Sequence, residues 1–313
     1  MNLTSPSQVK AWCIENGFHP NKVLGQNFLI DQNALKAIVD EGLKMIELSN
    51  NRIIESGVDG SAHSAIRPAD PSIIRPFDHS IIPHVLEIGP GLGVLTEEML
   101  KRGCRVTAIE KDPVLAERLA ASLGNPPNLT VIADDALAVI GKMRSGFHDR
   151  PHPSSLIPHP FTHMISNLPY QAGTRILLEL VQMRAVPSLT VLVQTEVAER
   201  LAAPEGSKTR GLAGVWAQLD YDVKVVRKVS ASCFWPRPEI GSSVVRLVRH
   251  NRNDSLSDEK RRIFYRLTKR AFEHRRKQLG SVFKNLIQST NRAEDLSVED
   301  WISLTNALTP EDI

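Results

Sequence analysis

The sequence predicts an α/β fold with a mostly parallel sheet, followed by a small helical domain. Three observations support this prediction. Short apolar runs alternate with helical segments over residues 85–194, which is typical of a parallel sheet. Two β-rich runs between residues 223 and 248 have no helix between them. From residue 255 onward the apolar residues recur at helical spacing.

The composition is that of an ordinary soluble protein. The chain has 313 residues, of which 42% are hydrophobic and 23% charged. By its length it is either one large α/β domain or one such domain with a smaller partner. No window holds about eighteen consecutive apolar residues, and residues 1–10 are polar, so we expect a cytoplasmic protein without a membrane segment. Nothing indicates a dimer interface, and a monomer is the default expectation.

Neither cysteines nor histidines predict a metal site. The three cysteines are odd in number and far apart, which excludes a disulfide framework or a zinc set. Histidines gather near two stretches, residues 50–83 and 146–160, but no pair has firm ligand spacing. These stretches are rich in proline and polar residues, so we interpret them as long surface loops.

The predicted elements begin with residues 22–29, which precede a helical pattern and are expected to form an N-terminal cap. The apolar residues of that helix are Leu35, Ile38, Val39, Leu43 and Ile46. Parallel strands are predicted at residues 85–88, 105–109, 129–133, 164–166 and 189–194, with helices near 92–102, 113–123 and 172–183. The runs 223–229 and 243–248 predict an antiparallel edge on the sheet.

The C-terminal region is predicted to be helical. Ser257 can cap a helix, and acidic residues occupy its first turn. A buried stripe follows at Ile263, Phe264, Leu267, Ala271 and Phe272. Ser297 opens a shorter helix with Trp301, Leu304 and Leu308. We therefore predict two domains, residues 1–252 and 253–313.

A glycine-rich turn follows the first strand of the sheet. Gly89, Gly91 and Gly93 stand between this strand and a helix, where the backbone can approach a ligand that any side chain would obstruct. The spacing is not the Gly-x-Gly-x-x-Gly of dinucleotide sites. No Gly-Lys-Ser/Thr follows, which excludes a P-loop.

Two carboxylates are placed to recognise an adenosine. Glu110 ends the second strand, where it can accept hydrogen bonds from both ribose hydroxyls. Asp135 follows the third strand and is suited to an adenine amino group, although the adjacent Asp134 is a competing candidate. Adenosine contacts without a required phosphate site favour S-adenosylmethionine over NAD as the cofactor.

Asn167, Leu168, Pro169 and Tyr170 follow another strand, at the sheet edge where open α/β sheets bind ligands. The exocyclic amine of adenine is a poor nucleophile, because its lone pair is delocalised into the ring. The Asn167 side-chain oxygen and the Leu168 carbonyl can accept its two N–H groups and orient the nitrogen. Pro169 fixes the turn, and Tyr170 offers a ring for stacking. Catalysis is then mainly orientation and desolvation, without an obligatory general base.

These motifs occur with four others in a fixed order. They are Leu24-Gly-Gln-Asn-Phe-Leu29, Gln194-Thr-Glu-Val-Ala198, Phe234-Trp-Pro-Arg-Pro238 and Phe272-Glu-His-Arg-Arg-Lys-Gln-Leu279. The set closely resembles the ribosomal RNA adenine N6,N6-dimethyltransferases. The resemblance implies a class I S-adenosylmethionine-dependent methyltransferase domain, with a Rossmann-like, seven-stranded, mostly parallel sheet, and a small helical domain that contributes to rRNA binding.

The resemblance also implies site residues and a substrate. Asn27 and Leu29 would border the methionine part of the cofactor, beside Gly89 and Asn167, and Phe234 would stack on the target adenine opposite Tyr170. The implied reaction dimethylates two adjacent adenosines in the 3′-terminal hairpin of small-subunit rRNA during biogenesis of the subunit. Residues 133–135, Ala-Asp-Asp, depart from the glycine-aspartate that is more usual in the family, which leaves the adenine contact open.

Basic residues are dense near the C-terminus, although the net charge is only +3. They are Arg246, Arg249, Arg252, Lys260, Arg261, Arg262, Arg266, Lys269, Arg270, Arg275, Arg276, Lys277 and Lys284. Such a surface is typical of a polyanion-binding protein, and a solvated helix face is the alternative.

Three other functions remain open at this point. The first is dimethylation of large-subunit rRNA, as in antibiotic resistance. The second is a ribosome assembly factor that acts mainly by binding RNA. The third is DNA adenine methylation, against which the lack of an obvious target-recognition domain argues.

Overall fold

The computed structural model describes residues 2–21, 25–56, 82–146, 161–284 and 286–312. Most of the two predicted loops, residues 57–81 and 147–160, therefore lies outside the described residues. Within these ranges the strands are β1 (Phe28–Leu29), β2 (His84–Ile88), β3 (Arg105–Glu110), β4 (Leu129–Ala133), β5 (His163–Asn167), β6 (Ser188–Gln194), β7 (Tyr221–Val229), β8 (Phe234–Trp235) and β9 (Ser242–Arg249).

Seven of these strands form one sheet in the order β4-β3-β2-β5-β6-β9-β7. The first five strands in this order are parallel to one another, while β9 pairs antiparallel with both β6 and β7. The predicted α/β fold and its antiparallel edge are thus confirmed. Because β2 and β5 are neighbours and the chain leaves them in opposite directions, the loops at their carboxyl ends diverge and open a crevice.

The helices surround this sheet and extend beyond it. In the described ranges they are α1 (Pro6–Glu15), α2 (Gln32–Ser56), α3 (Val94–Lys101), α4 (Pro113–Ser122), α5 (Ala136–Gly146), α6 (Gly173–Met183), α7 (Thr195–Ala202), α8 (Leu212–Asp220), α9 (Asp258–Glu273), α10 (Leu279–Val282) and α11 (Val298–Asn306). None of the helices described is long and apolar enough to cross a membrane.

Two details of the predicted elements were wrong. The loop predicted from residue 50 begins later, because α2 continues to Ser56. Residues 50–56 contain neither proline nor glycine, and the first helix breaker is Gly57. Leu308 lies beyond the end of α11, although its side chain is buried.

Two hydrophobic clusters cover the two faces of the sheet, because successive residues of a strand point to opposite faces. Val85 belongs to one cluster and its neighbour Leu86 to the other, as a strand that is buried on both faces requires. A third cluster unites α9 and α11 with Val215 and Leu219 of α8. Part of the C-terminal core therefore precedes residue 252, and the division into domains at that residue stays a prediction.

A buried ion pair joins α8 to α9. Nη1 of Arg261 lies 2.7 Å from Oδ2 of Asp220, and both side chains are almost completely buried. The guanidinium also donates to the carbonyls of Leu256 and Asn253. A buried charge requires such partners. Arg261 is therefore a structural residue, and its inclusion in the predicted basic surface was wrong.

Candidate active site

A cavity of about 210 Å³ lies at the carboxyl ends of β2, β3 and β5. Its wall brings together nearly all of the predicted site residues, although they come from distant parts of the chain. Those lining it are Asn27, Leu29, Gly89, Gly91, Glu110, Asp135, Asn167, Leu168, Pro169 and Tyr170. Phe234 is the one predicted site residue that does not line it.

The glycine turn is built from left-handed backbone. Gly89 and Gly91 have φ angles of +66° and +58°, which side chains rarely tolerate. A Cβ atom on Gly91 would lie 2.9 Å from Cε1 of Phe28, so the backbone here also has no room for one. The turn consequently exposes main-chain atoms to the cavity, and its position depends on both glycines.

Glu110 is held by the backbone on both sides. Its Oε2 accepts the N–H of Gly91 at 3.0 Å, and its Oε1 accepts the N–H of Asp112 at 2.9 Å. The residue is only 6% exposed, and this burial raises the pKa of the carboxyl group, while the two N–H groups oppose the rise. A carboxylate has about four acceptor positions. The fixed carboxylate therefore retains acceptor capacity for two hydroxyl groups of a ligand.

The two adjacent aspartates have different surroundings. Asp135 lines the cavity, and its Oδ2 lies 2.7 Å from Nζ of Lys111, while its Oδ1 accepts the N–H of Leu137. Asp134 instead pairs with Lys142 at 2.9 Å and is not part of the cavity wall. Hydrogen bonding from Lys111 lowers the pKa of Asp135, which keeps the carboxylate ionised. The geometry therefore favours Asp135 over Asp134 as the residue that meets a ligand.

The turn of residues 167–170 is fixed at both ends. The side-chain amide of Asn167 donates to the main-chain carbonyl of Asn27 at 3.0 Å, which leaves the side-chain oxygen as the acceptor. The Leu168 N–H donates to the carbonyl of Leu192 at 3.1 Å, and Gly173 donates to Pro169 at 2.7 Å. The turn thus presents its acceptors from a rigid backbone.

Residues 25–29 close the cavity from the N-terminal side. Gln26 donates through Nε2 to Oδ2 of Asp112, and Asn27 donates through Nδ2 to the carbonyl of Gly25. Phe28 then packs against the glycine turn. The segment touches the glycine turn and the Asn167 turn together, as expected of the predicted cap, of which residues 22–24 lie outside the described residues.

The two predicted stacking residues differ in accessibility. Tyr170 is half-buried in the cavity wall, and its hydroxyl is hydrogen-bonded to that of Ser242 at 2.6 Å. Phe234 lies in β8, opposite Leu29 of β1, and is only 2% exposed. Stacking of adenine on Phe234 therefore stays a prediction that this arrangement does not display.

Sequence reasoning missed one acidic residue of the cavity. Glu87 is 1% exposed, lines the cavity and accepts the hydroxyl of Thr96 at 2.6 Å. Burial raises the pKa of Glu87 to about 8. A glutamate inside an otherwise apolar strand could have indicated this residue, since glutamate is almost never fully buried unless it is paired. For Lys111, the second missed residue, the sequence offers no signal.

The structure divides the predicted basic surface into paired and exposed residues. Arg246 pairs with Glu41, and Arg252 pairs with Asp222. Lys260 donates to three carbonyls at the end of α11. Arg275 donates to the carbonyl of Lys208 and approaches Glu294. Arg249 pairs with Asp254. Besides the paired but exposed Arg252, the exposed residues are Arg262, Arg266, Lys269, Arg270, Arg276, Lys277 and Lys284.

The fold and the cavity define the class of protein. An open sheet with a glycine turn after β2 and acidic residues at the ends of β3 and β4 is a Rossmann-like domain of the class I methyltransferase type. Residues 72–308 match the family described as "Ribosomal RNA adenine dimethylase". The chain belongs to this family, and it is a methyltransferase.

Proteins named "Ribosomal RNA small subunit methyltransferase A" are similar to most of the chain. The protein of Sphingopyxis alaskensis is 33% identical, with 94% of this chain and 96% of the relative covered. That of Deinococcus radiodurans is 40% identical over 78% of this chain and 67% of its own length. That of Bifidobacterium longum is 31% identical over 98% and 94%.

Two solved structures share the fold. A dimethyladenosine transferase from Plasmodium falciparum has a TM-score of 0.56 and 21% identity, with 71% of this chain and 90% of that chain covered. The 23S rRNA methyltransferase ErmE has a TM-score of 0.53 and 22% identity, with 72% and 91% covered. These likenesses concern the fold, since both identities are low.

Proposed function

We propose that this chain transfers methyl groups from S-adenosylmethionine to the N6 amines of two adjacent adenosines in the 3′-terminal hairpin of small-subunit rRNA. It would act as a monomer on the immature small subunit in the cytoplasm. The observation that carries the proposal is that the glycine turn and the Asn167 turn line the same cavity, which supports a methyl donor and an acceptor amine meeting there. The names of the relatives support the small subunit over the large one.

The residues of the cavity fit S-adenosylmethionine. Glu110 retains acceptor capacity for the ribose hydroxyls, and Asp135 can accept an adenine N–H. The wall contains the carboxylates of Glu110 and Asp135, of which Asp135 is paired with Lys111. It also contains the carboxyl group of Glu87, whose raised pKa of about 8 keeps it mostly protonated at neutral pH. The Glu110 carboxylate suits a ligand that carries hydroxyl and positively charged groups better than one that carries a pyrophosphate. When bound, the cofactor supplies a methyl group on a sulfur that is already activated as a leaving group.

The Asn167 turn offers hydrogen-bond acceptors to the adenine amine that receives the methyl group. An adenine amine can donate one N–H to the Asn167 side-chain oxygen and the other to the Leu168 carbonyl, which fixes the direction of the nitrogen. Because Nδ2 of Asn167 donates to the carbonyl of Asn27, the side-chain oxygen is the atom that remains available to the amine. The nitrogen becomes more acidic as it is methylated, so its proton can leave to water without a side-chain base.

The exposed basic residues support an RNA partner. Each phosphate that a lysine or arginine neutralises releases counterions, so RNA affinity should fall steeply with salt. We expect the double variant Arg276→Ala, Lys277→Ala to bind rRNA more weakly and with a shallower salt dependence. A salt dependence equal to that of the unmodified protein would identify these residues as a solvated surface.

The direct test uses labelled S-adenosylmethionine with immature small subunits, large subunits, naked rRNA and duplex DNA. We expect label in small-subunit rRNA, as N6,N6-dimethyladenosine. Label confined to large subunits or DNA would refute the proposal, and RNA binding without transfer would favour an assembly factor.

The variant Asn167→Ala tests the amine pocket separately from the cofactor site. Methyl transfer should be abolished, because the side-chain oxygen that orients the adenine amine is lost. Binding of S-adenosylhomocysteine should change little, because the glycine turn and Glu110 remain. A variant that binds this ligand and transfers methyl groups at the normal rate would contradict the assigned role.

A further inference from the structure

We propose that Ser242 is a positioning residue for the second methyl transfer, acting through its hydrogen bond to Tyr170. The proposal rests on the proposed function and deepens it. It concerns the step that converts N6-monomethyladenosine to N6,N6-dimethyladenosine.

Ser242 is completely buried in the antiparallel part of the sheet. It begins β9, where it is paired in register with Gln194 of β6 and Val229 of β7, and its exposed fraction is 0%. Its hydroxyl oxygen lies 2.6 Å from the hydroxyl oxygen of Tyr170. The antiparallel part of the sheet therefore holds the outer end of the tyrosine ring.

The position of the Tyr170 ring is otherwise set by the backbone of the Asn167 turn and by packing in the cavity wall. The residue is half-buried, and desolvation raises the pKa of its hydroxyl, so the group stays protonated and can donate a hydrogen bond. Without the contact to Ser242, the outer end of the ring would lose its hydrogen bond and would be held by packing alone. A ring that pivots about χ1 and χ2 is a poorer surface for a stacked base.

The chemistry makes the ring more important in the second transfer. In each transfer the amine nitrogen bonds the methyl carbon as the carbon–sulfur bond breaks, the sulfur keeps the electron pair, and the nitrogen loses one proton to solvent. The unmodified amine has two N–H groups, for the Asn167 oxygen and the Leu168 carbonyl. The monomethylated amine has one, so it keeps only one of these hydrogen bonds. Contact with Tyr170 then carries a larger share of the orientation.

The test compares Ser242→Ala with Ser243→Ala. Ser243 is the next residue of β9 and has the same exposed fraction of 0%. Its hydroxyl lies 3.2 Å from that of Thr195, whereas the Tyr170 hydroxyl is bonded to Ser242, and Ser243 does not line the cavity. Immature small subunits are methylated for increasing times, and the rRNA is digested to nucleosides. Mass spectrometry then gives the amounts of N6-monomethyladenosine and N6,N6-dimethyladenosine, and hence the two rate constants.

We expect Ser242→Ala to lower the ratio of the second rate constant to the first by about fivefold, the effect of one hydrogen bond between neutral groups. N6-Monomethyladenosine should accumulate, and S-adenosylhomocysteine should bind normally. Tyr170→Phe removes the other partner of the same bond, so it should behave like Ser242→Ala, and the double variant should be no worse than either single one. Ser243→Ala should keep the normal ratio.

Three results would overturn the proposal: an unchanged ratio in Ser242→Ala, an equal change in Ser243→Ala, or additive effects in the double variant. The Tyr170→Phe variant decides the matter if Ser242→Ala does not fold, because it leaves the packing of β9 intact. If the unmodified protein methylates no small-subunit rRNA, the proposed function fails. If it does so and the ratio never changes, only the role of Ser242 fails.

Discussion

The variant Glu87→Gln should change how the stability of the protein depends on pH. Glu87 is buried in the cavity wall, and its pKa is raised from its ordinary value of 4.5 to about 8. Glutamine has the same shape and keeps an oxygen for the Thr96 hydroxyl, but it cannot ionise. The substitution therefore removes the titration and preserves the packing.

The direction and size of the effect are set by the two pKa values. Because the folded state binds the proton of Glu87 more tightly than the unfolded state, the stabilisation is complete below pH 4.5 and is lost as the pH rises toward 8. Each pH unit in this interval costs about 1.4 kcal/mol. Because the slope falls by half as the pH reaches the folded-state pKa, the unmodified protein should lose about 2 kcal/mol between pH 6 and pH 8 that Glu87→Gln does not lose.

The assay is unfolding by denaturant at pH 5, 6, 7 and 8, with the free energy of unfolding compared between the two proteins at each pH. A control is Glu97→Gln on α3, where the carboxylate forms a surface ion pair with Lys101. This control should change the free energy by less than about 1 kcal/mol at every pH. A difference between Glu87→Gln and the unmodified protein that stays constant with pH would refute the reasoning.

Two further predictions concern the cofactor side of the cavity. Gly91→Ala should destabilise the protein by at least about 1–2 kcal/mol, because the φ angle of Gly91 is +58° and the new methyl group would meet Phe28. Thermal unfolding measures this loss of stability. Normal binding of S-adenosylhomocysteine by the variant would contradict a role of the glycine turn in ligand binding. Lys111→Met should weaken binding of the same ligand up to about fivefold, because Lys111 holds Asp135 at the cavity. Calorimetry measures the affinity, and the control is Lys142→Met, because Lys142 pairs with Asp134 outside the cavity wall. Equal losses of affinity in the two variants would contradict the prediction.

Features that depend on neighbouring residues were predictable from the sequence. The glycine turn is recognisable because its residues come directly after an apolar strand, and Glu110 and Asp135 were placed by counting strands. The carboxyl ends of parallel strands share one edge, so these residues had to converge. The cavity wall contains all of them.

Features that depend on distant pairing were not predictable in this way. Tyr170 and Ser242 are 72 residues apart, and nothing in either segment indicates that their hydroxyls meet. The burial of Arg261 requires Asp220, a partner 41 residues earlier that only the packing of α8 provides. Phe234 is buried because β8 pairs with β1, a two-residue strand too short to give a pattern.

The described residues that follow the two long predicted loops enter the sheet at the edge opposite the cavity. Residues 82 and 161 lead into the amino ends of β2 and β5, where the backbone N–H of His84 donates to the Thr162 hydroxyl and the N–H of Thr162 donates to the carbonyl of His84. A five-residue strand spans about 17 Å, and the cavity lies at the opposite ends of both strands. The described residues that follow these two segments therefore enter the sheet about one strand length away from the glycine turn and the Asn167 turn. This edge is a suitable place to attach a fluorescent reporter or a tether without disturbing the cavity.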